Sequence, residues 1–334
     1  MYGPRRRRAL LGAVFALLLG YTAVAAARHP PIDHTPVLGD EGRGDPSPAR
    51  WPQSGQAALM LGTSRPATSP GEQPVPIASL AKVMTAYLTL EHYPLSGAED
   101  GFTITVSDAQ AQDTGQGQSD VAVRPGEALT ERQLLEALLI PSGNNIARML
   151  ATGVGGSEEA FVAEMNARAR ALGMDHTIYA DPSGFDVGTV STAADQLRIF
   201  GQAMRSPVFR QIVSMASVTL PVAGTLSNFN PLIAEGYAGK TGSDAAAGGC
   251  LAFFTRVTVG GHGETAVGVV LGQGQGSDTS ALLGAAGEAA TQLVESVAPD
   301  VGVRGLAGPG ARGPEGDAGG PPLLLASSRP SSQS

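Results

Sequence analysis

The chain has 334 residues, of which 42% are hydrophobic and 16% charged, with a formal net charge of -8. That length and apolar content supply a sizeable core for one large or two small domains. The absence of a Lys/Arg-rich patch beyond the N-terminus argues against a nucleic-acid partner. A single cysteine excludes an internal disulfide and leaves an extracytoplasmic location open.

Arg5-Arg6-Arg7-Arg8 precede an uncharged, mostly apolar stretch, Ala9 to Ala27, that ends in Ala25-Ala26-Ala27. This is the pattern of a signal peptide or an N-terminal membrane anchor over residues 1–27. As a helix it would span roughly 28 Å, close to a hydrocarbon core of about 30 Å. The arginines keep the N-terminus cytoplasmic and send the remainder outside. Residues 28–51 are rich in Pro, Gly, Asp and Arg without a period and read as a flexible linker. The Arg43-Gly44-Asp45 triplet within it is a product of that composition.

The folded domain is expected over residues 52–298. Gln56–Leu61 reads as a first strand. A helix follows from about Ser79 to His92, with Leu80, Val83, Met84, Tyr87 and Leu88 on one face. Phe102–Val106 reads as a short strand and Gln110–Ser119 as a polar loop. Thr130-x-x-Gln133 is a capping-box pattern that opens a helix through Ile140. Pro141 stops that helix, Ser142-Gly143-Asn144 occupies the turn, and Asn145–Thr152 forms the next helix, with a hinge at Gly153–Gly156. An amphipathic helix runs from Glu158 to Leu172. The turn-rich stretch Tyr179–Asp186 holds Asp181 and Asp186, which fit Asx turns better than metal ligation. Ser191-Thr192 caps a helix over Ala193–Arg205, and Val208–Val213 is short and apolar. Strands are expected at Ser217–Val222, Tyr237–Thr241, Cys250–Val259 and Glu264–Leu271, then a long helix at Thr279–Val297. Cys250 lies in an apolar run and reads as a buried small residue. Residues 299–334 are Gly/Pro/Ser-rich and are expected to form a disordered tail.

Three short motifs carry chemistry. Ser79 and Lys82 lie one helical turn apart, so their side chains can meet. A hydroxyl at a helix N-terminus beside an amine is the arrangement of a serine nucleophile with a lysine base. Alone, the pair also fits a helix cap beside a solvated surface charge. Lysine usage adds weight: the only two lysines of the chain are Lys82 and Lys240. Arginine cannot lose its proton, whereas a crowded lysine can. Ser142-Gly143-Asn144 and Lys240-Thr241-Gly242 follow in order. S-x-x-K, S-x-N and K-T-G together form the signature set of penicillin-binding proteins and serine β-lactamases. The five histidines are scattered without metal-ligand spacing, which argues against a Ser-His-Asp triad and a metallohydrolase. Gly272–Gly276 lacks the lysine of a phosphate loop. No metal and no cofactor is expected.

Pro76 through Ala86 resembles the catalytic helix of the low-molecular-weight D-alanyl-D-alanine carboxypeptidases of the peptidase S11 family. So do Leu139–Asn145 and the stretch from Met165-Asn166 to Asp181-Pro182-Ser183-Gly184. The resemblance covers roughly Gln56 to Val297. It implies an α/β fold of the serine β-lactamase and penicillin-binding-protein kind, an antiparallel sheet flanked by helices with a helical subdomain. It implies that Ser79 attacks the carbonyl between two terminal D-alanines, that Lys82 takes its proton, and that Ser142 relays a proton to the leaving D-alanine. Asn144 would hold the substrate amide, and Lys240 and Thr241 the terminal carboxylate. The NH groups of Ser79 and of Ser243, just after Gly242, would form the oxyanion hole. The implied partners are stem peptides ending in D-Ala-D-Ala and β-lactam inhibitors. Many members carry a downstream β domain and an amphipathic C-terminal anchor; the sequence after Val297 is too Gly/Pro-rich for either, so any membrane attachment is expected through the N-terminal segment. Ser243 replaces the bulkier residue usual after the third motif, and Asn230–Gly239 is less typical of the family, which bears on substrate preference. The competing readings are a class A-like β-lactamase, a DD-transpeptidase, and a non-catalytic wall-binding or β-lactam-sensing module. The first needs a deacylating Glu downstream of the second motif, and residues 170–190 hold none.

Overall fold

β1 (Gln56–Leu61) begins a sheet and turns back through β2 (Ala67–Thr68); β3 (Val75–Pro76) then leads into a single 3-10 turn, Ala78–Ala81, and α1 (Lys82–His92). The computed structural model describes residues 49–298. The expected export segment (1–27), nearly all of the linker (28–51) and the tail (299–334) lie outside the described residues. β4 (Thr103–Thr105), α2 (Asp108–Gln112), β5 (Ala128–Thr130), α3 (Glu131–Leu139), α4 (Asn144–Gly155) and α5 (Glu158–Ala171) make a mostly helical layer. β6 (Val190–Ser191), α6 (Ala193–Ala203), α7 (Pro207–Val213) and the hairpin β7 (Ser217–Leu220) and β8 (Gly224–Ser227) return the chain to the sheet. The chain then runs through β9 (Ala238–Asp244), β10 (Gly248–Val259) and β11 (His262–Gln273) and closes on α8 (Thr279–Val297).

The main sheet is five-stranded and antiparallel, in the order β2-β1-β11-β10-β9. Its strands alternate their side chains between two faces. Ala58, Met60, Ala252, Val267 and Val269 point into the helical layer. Ala57, Leu59, Leu251, Phe253 and Val270 point the other way, onto α8. A Cβ on Gly268 would lie 2.4 Å from the Phe253 ring, so the missing side chain there makes room for the aromatic. Burying these two faces supplies the main driving force for folding, at about 25 cal/mol per Å² of apolar surface. Ala49 and Trp51 pack in the same cluster as Val297 and Ala298, and the Arg50 NH donates to Ser296 Oγ at 3.0 Å. Both ends of the described body therefore meet on the α8 face.

Local signals explain most elements. The capping box expected at Thr130 and Gln133 is present in both directions at α3. Thr192 caps α6 by accepting from the Asp195 NH, and Ser157 caps α5 by accepting from the Ala160 NH. The polar stretch read as loop from Gln110 contains the end of α2, which a second capping box at Ser107 and Gln110 starts. Gly153 and Gly155 do not form a hinge. They lie inside α4, and the helix ends at Gly156, at φ 79°. Val208–Val213 is helical because Ser206 caps it and Pro207 occupies its first turn. The strand expected at Ser217–Val222 stops at Leu220 and pairs with β8. Cys250 is fully buried on the helical-layer face.

Candidate active site

The sequence Ile77-Ala78-Ser79 does not start an α-helix directly. Ala78 takes a left-handed conformation, φ 45°, and Ser79 sits in the 3-10 turn before α1. Such a backbone costs on the order of 1–3 kcal/mol for a residue with a Cβ. The packed turn offsets that cost: Ile77, Ala78, Leu80 and Ala81 are all buried, while Ser79 stays partly open. Lys82, the first residue of α1, is fully buried. Its Nζ lies 2.8 Å from Ser79 Oγ, 2.6 Å from Asn144 Oδ1 and 2.9 Å from the Ser183 carbonyl oxygen.

Those contacts define what the amine can do. An ammonium donates one proton to each of the three acceptors. A neutral amine has two protons and one lone pair. Asn144 Oδ1 and the Ser183 carbonyl can only accept from it, so they hold the two protons. The lone pair then faces the one group able to donate, the Ser79 hydroxyl. The electrostatics favour that neutral state: burial, reinforced by the charge of Lys240, holds the Lys82 pKa well below its ordinary value.

The second motif is set by strain of the same kind. Ser142 has φ 63° and lies between the end of α3 and the start of α4. The Gly143 NH donates to the Ala137 carbonyl at 3.0 Å, and the Asn144 NH to the Ser119 carbonyl at 2.7 Å. Ser142 Oγ accepts from Lys240 Nζ at 2.9 Å, which links the helical layer to the sheet. Lys240 also donates to the Thr241 carbonyl at 2.8 Å. Burial pushes its pKa down to about 7, and among the described residues no carboxylate pairs with it. β9 lies at the edge of the sheet, with Lys240 opposite Ala252, Thr241 opposite Leu251 and Ser243 opposite Gly249 on β10. A Cβ on Gly242 would lie 2.9 Å from the Ile77 carbonyl oxygen and 3.0 Å from the Ser79 nitrogen. Glycine there lets the strand approach the turn that carries Ser79.

The structure therefore links Ser79, Lys82 and Asn144 in one set of contacts and Ser142 to Lys240 in a second chain, the two joined by the short segment Ser142-Gly143-Asn144, and sets Gly242 against the Ser79 turn. Thr241 enters the chain through its carbonyl, and Ser243 is half-buried on β9. Three participants were absent from the sequence reading. Gln118 Oε1 accepts from Asn144 Nδ2 at 3.4 Å and from Arg148 Nη1 at 3.0 Å. Arg148 in turn donates to Asp113 Oδ2 at 2.6 Å, pinning the loop after α2 to α4. The Ser183 carbonyl is the third; a main-chain oxygen leaves no residue-type signal in a sequence.

An antiparallel sheet flanked by helices, with the serine and two lysines where the sheet faces the helical layer, is the fold of the serine β-lactamases and penicillin-binding proteins. A solved Streptomyces DD-transpeptidase superposes with TM-score 0.63 at 26% identity, covering 74% of this chain and 98% of that one. The profile of the D-alanyl-D-alanine carboxypeptidase family, peptidase S11, matches residues 67–274, and the chain belongs to that family. A D-alanyl-D-alanine carboxypeptidase of Mycobacterium tuberculosis is 40% identical over 149 residues, which cover 44% of this chain and 48% of that protein. A D-alanyl-D-alanine endopeptidase of Escherichia coli is 30% identical over 197 residues, covering 54% of this chain and 60% of that one. The chain thus spans about half the length of the curated relatives it matches.

Proposed function

We propose that the chain is a serine-type D-alanyl-D-alanine carboxypeptidase that removes the terminal D-alanine from peptidoglycan stem peptides and is acylated by β-lactams at the same serine. The observation that carries this reading is a fully buried Lys82 amine 2.8 Å from Ser79 Oγ, with its other two contacts held by acceptors. Ser79 Oγ attacks the penultimate D-alanine carbonyl carbon while its proton passes to Lys82. The developing oxyanion is held by the NH groups of Ser79 and Ser243. Ser142 relays a proton to the leaving nitrogen as the C–N bond breaks, and free D-alanine departs. Water then attacks the ester, gives up a proton, and returns Ser79 to its hydroxyl form. Asn144 holds the substrate amide. Lys240, a buried cation without a carboxylate partner among the described residues, binds the terminal carboxylate together with Thr241.

Residues 52–298 are the catalytic domain in this reading, with 1–27 as export signal or anchor, 28–51 as linker and 299–334 as tail. The substrate places the domain outside the cytoplasm. Among the described residues no helix is long and apolar enough to cross a membrane. The arginine cluster and apolar run of residues 1–27 are what support export, with any attachment through that segment.

Transpeptidation is the second reading, favoured by the likeness to the Streptomyces DD-transpeptidase. It differs only in whether an amine or water resolves the acyl-enzyme. A class A-like β-lactamase is disfavoured because residues 170–190 hold no glutamate to activate a deacylating water; the segment instead gives Lys82 a main-chain carbonyl, that of Ser183. Two measurements test the proposal: the mass of the penicillin adduct on wild type and Ser79→Ala, and release of D-alanine from a diacyl-Lys-D-Ala-D-Ala peptide with and without an amine acceptor. A stable adduct that Ser79→Ala abolishes, with D-alanine released, is expected. Fast nitrocefin turnover, or a folded wild type that forms no adduct, would overturn it. Binding of the peptide without release would assign a sensing module instead.

A further inference from the structure

The carbonyl that holds one proton of Lys82 belongs to a turn built around another side chain. Asp181 Oδ2 accepts from the Ser183 NH at 3.1 Å, from the Ser183 hydroxyl, and from the Phe185 NH at 3.1 Å. Asp181 Oδ1 accepts from the Gly184 NH at 3.0 Å and from Thr189 Oγ1 at 2.8 Å. A carboxylate that takes five donors within eight residues fixes the shape of the segment between them. The turn is also fastened to α1, since Thr85 Oγ1 donates to the Pro182 carbonyl at 2.6 Å. It reaches the strained turn beside the nucleophile as well. A Cβ on Gly184 would lie 1.8 Å from the Ala78 carbonyl oxygen, so the two backbones are in direct contact.

We infer that Asp181 is a positioning residue for the catalytic base: its carboxylate folds the 181–185 turn so that the Ser183 carbonyl takes one proton of neutral Lys82 and leaves the lone pair aimed at Ser79. The assignment rests on the reading of Lys82 as the base. Asp181 itself touches neither the nucleophile nor the base. It acts through the geometry of Ser183 and through its charge. Four charged groups act on the Lys82 amine: Lys240 on β9 and Arg148 on α4 lower its pKa, while Asp181 in the turn and Asp120 in the loop between α2 and β5 raise it, all beside the larger lowering by burial. Removing the Asp181 charge therefore lowers the Lys82 pKa further. Since Lys82 acts when neutral, the acidic limb of the acylation profile moves to lower pH.

Asparagine at position 181 keeps the size of the side chain. Its NH2 cannot accept from the donors that converge on the oxygen it replaces. The test is the second-order rate of Ser79 acylation by a labelled penicillin, followed from pH 5 to 9 in wild type and Asp181→Asn, with a thermal unfolding midpoint for each. The expected result is a folded variant whose rate falls roughly 10- to 100-fold, the size of loss that misplacing a catalytic group produces, and whose acidic limb lies at lower pH. A loss of folded protein alone would scale the rate without moving the limb. Ser183→Ala removes one donor to Asp181 and keeps both the carbonyl and the Asp181 charge, so it should give a smaller loss of rate per folded molecule with the limb unmoved; with the folded fraction measured by thermal unfolding, it decides the matter if Asp181→Asn does not fold. A folded Asp181→Asn with the wild-type rate and limb, or a folded Ser183→Ala with the wild-type rate, overturns the inference. A wild type without Ser79-dependent acylation would instead overturn the proposed function.

Discussion

Where the sheet faces the helical layer, the buried amines have polar partners: three acceptors surround Lys82 and two surround Lys240. At the first turn of α3, Glu131 is just as fully buried, yet among the described residues neither of its carboxylate oxygens has a donor at hydrogen-bonding geometry. Burial drives its pKa up to about 7, and the nearby Phe102 backbone and Arg132 offset that only in part. Both places remove an ionisable group from water, at a cost that can reach several kcal/mol. At the site the two amines lie between facing layers beside Ser79 and Ser142, two hydroxyls they touch. Glu131 lies against Gly101, away from those contacts. Abnormal acidity alone therefore does not mark a catalytic centre; convergence with other polar groups does.

The sharpest way to break this comparison is to fix the charge of Lys82. Lys82→Arg should lower Ser79 acylation by about 10³-fold or more, since a guanidinium cannot act as a base. Stopped-flow with a labelled penicillin measures this, and a rate near wild type would remove Lys82 from the base role. Next comes Lys240. With a free pKa of about 7 and no carboxylate partner among the described residues, it is charged below that pH and neutral above it. Affinity for a peptide carboxylate should fall as pH rises past about 7, and carboxylate binding should take up a proton. Lys240→Arg should retain part of the activity, and Lys240→Gln should weaken binding by about 2 kcal/mol or more and remove the proton uptake. Isothermal titration in two buffers of different ionisation enthalpy reads both.

Gly184→Ala should combine a clash with the Ala78 carbonyl and an unfavourable left-handed backbone at φ 78°. The expected loss is about 1–3 kcal/mol of stability, together with slower acylation. Denaturant unfolding and the acylation rate check this together. The smallest effect concerns Glu131. Its folded pKa is raised above the ordinary 4.5, so the stability it contributes is complete below that pH and is lost as pH rises through about 7. Glu131→Gln should flatten that part of the stability profile by roughly 1–3 kcal/mol and leave Ser79 acylation unchanged. A loss of acylation would tie this corner to Ser79 and the two lysines after all.

Side-chain chemistry at a fixed spacing was legible in the sequence, and backbone chemistry was not. Ser79 and Lys82 are three residues apart, and a single turn brings them together whatever the rest of the chain does. The long elements β1 and α8 have the bounds their patterns predict. Alternation and helical periodicity identify such segments because packing on a sheet imposes them. The Ser183 carbonyl and the close approach of Gly184 to Ala78 left only a turn-rich stretch to read. The same is true of the two-residue ladder of β3 with β6, which joins the approach to Ser79 to the segment after that turn. Its pairing depends on contacts more than a hundred residues apart, and two residues carry no period.

The two ends of the described body meet at Arg50 and Ser296, on the side of the sheet opposite Lys240. Whatever the flanking segments are joined to, both depart from a single doorway at the back of the molecule. A tether fastened to either end would hold the protein by that rear wall, with the sheet between the tether and Lys240. The same proximity means that a short bridge between residues 49 and 298 could join the ends and allow new ones to be opened in a distant surface loop, without disturbing the serine and its two lysines.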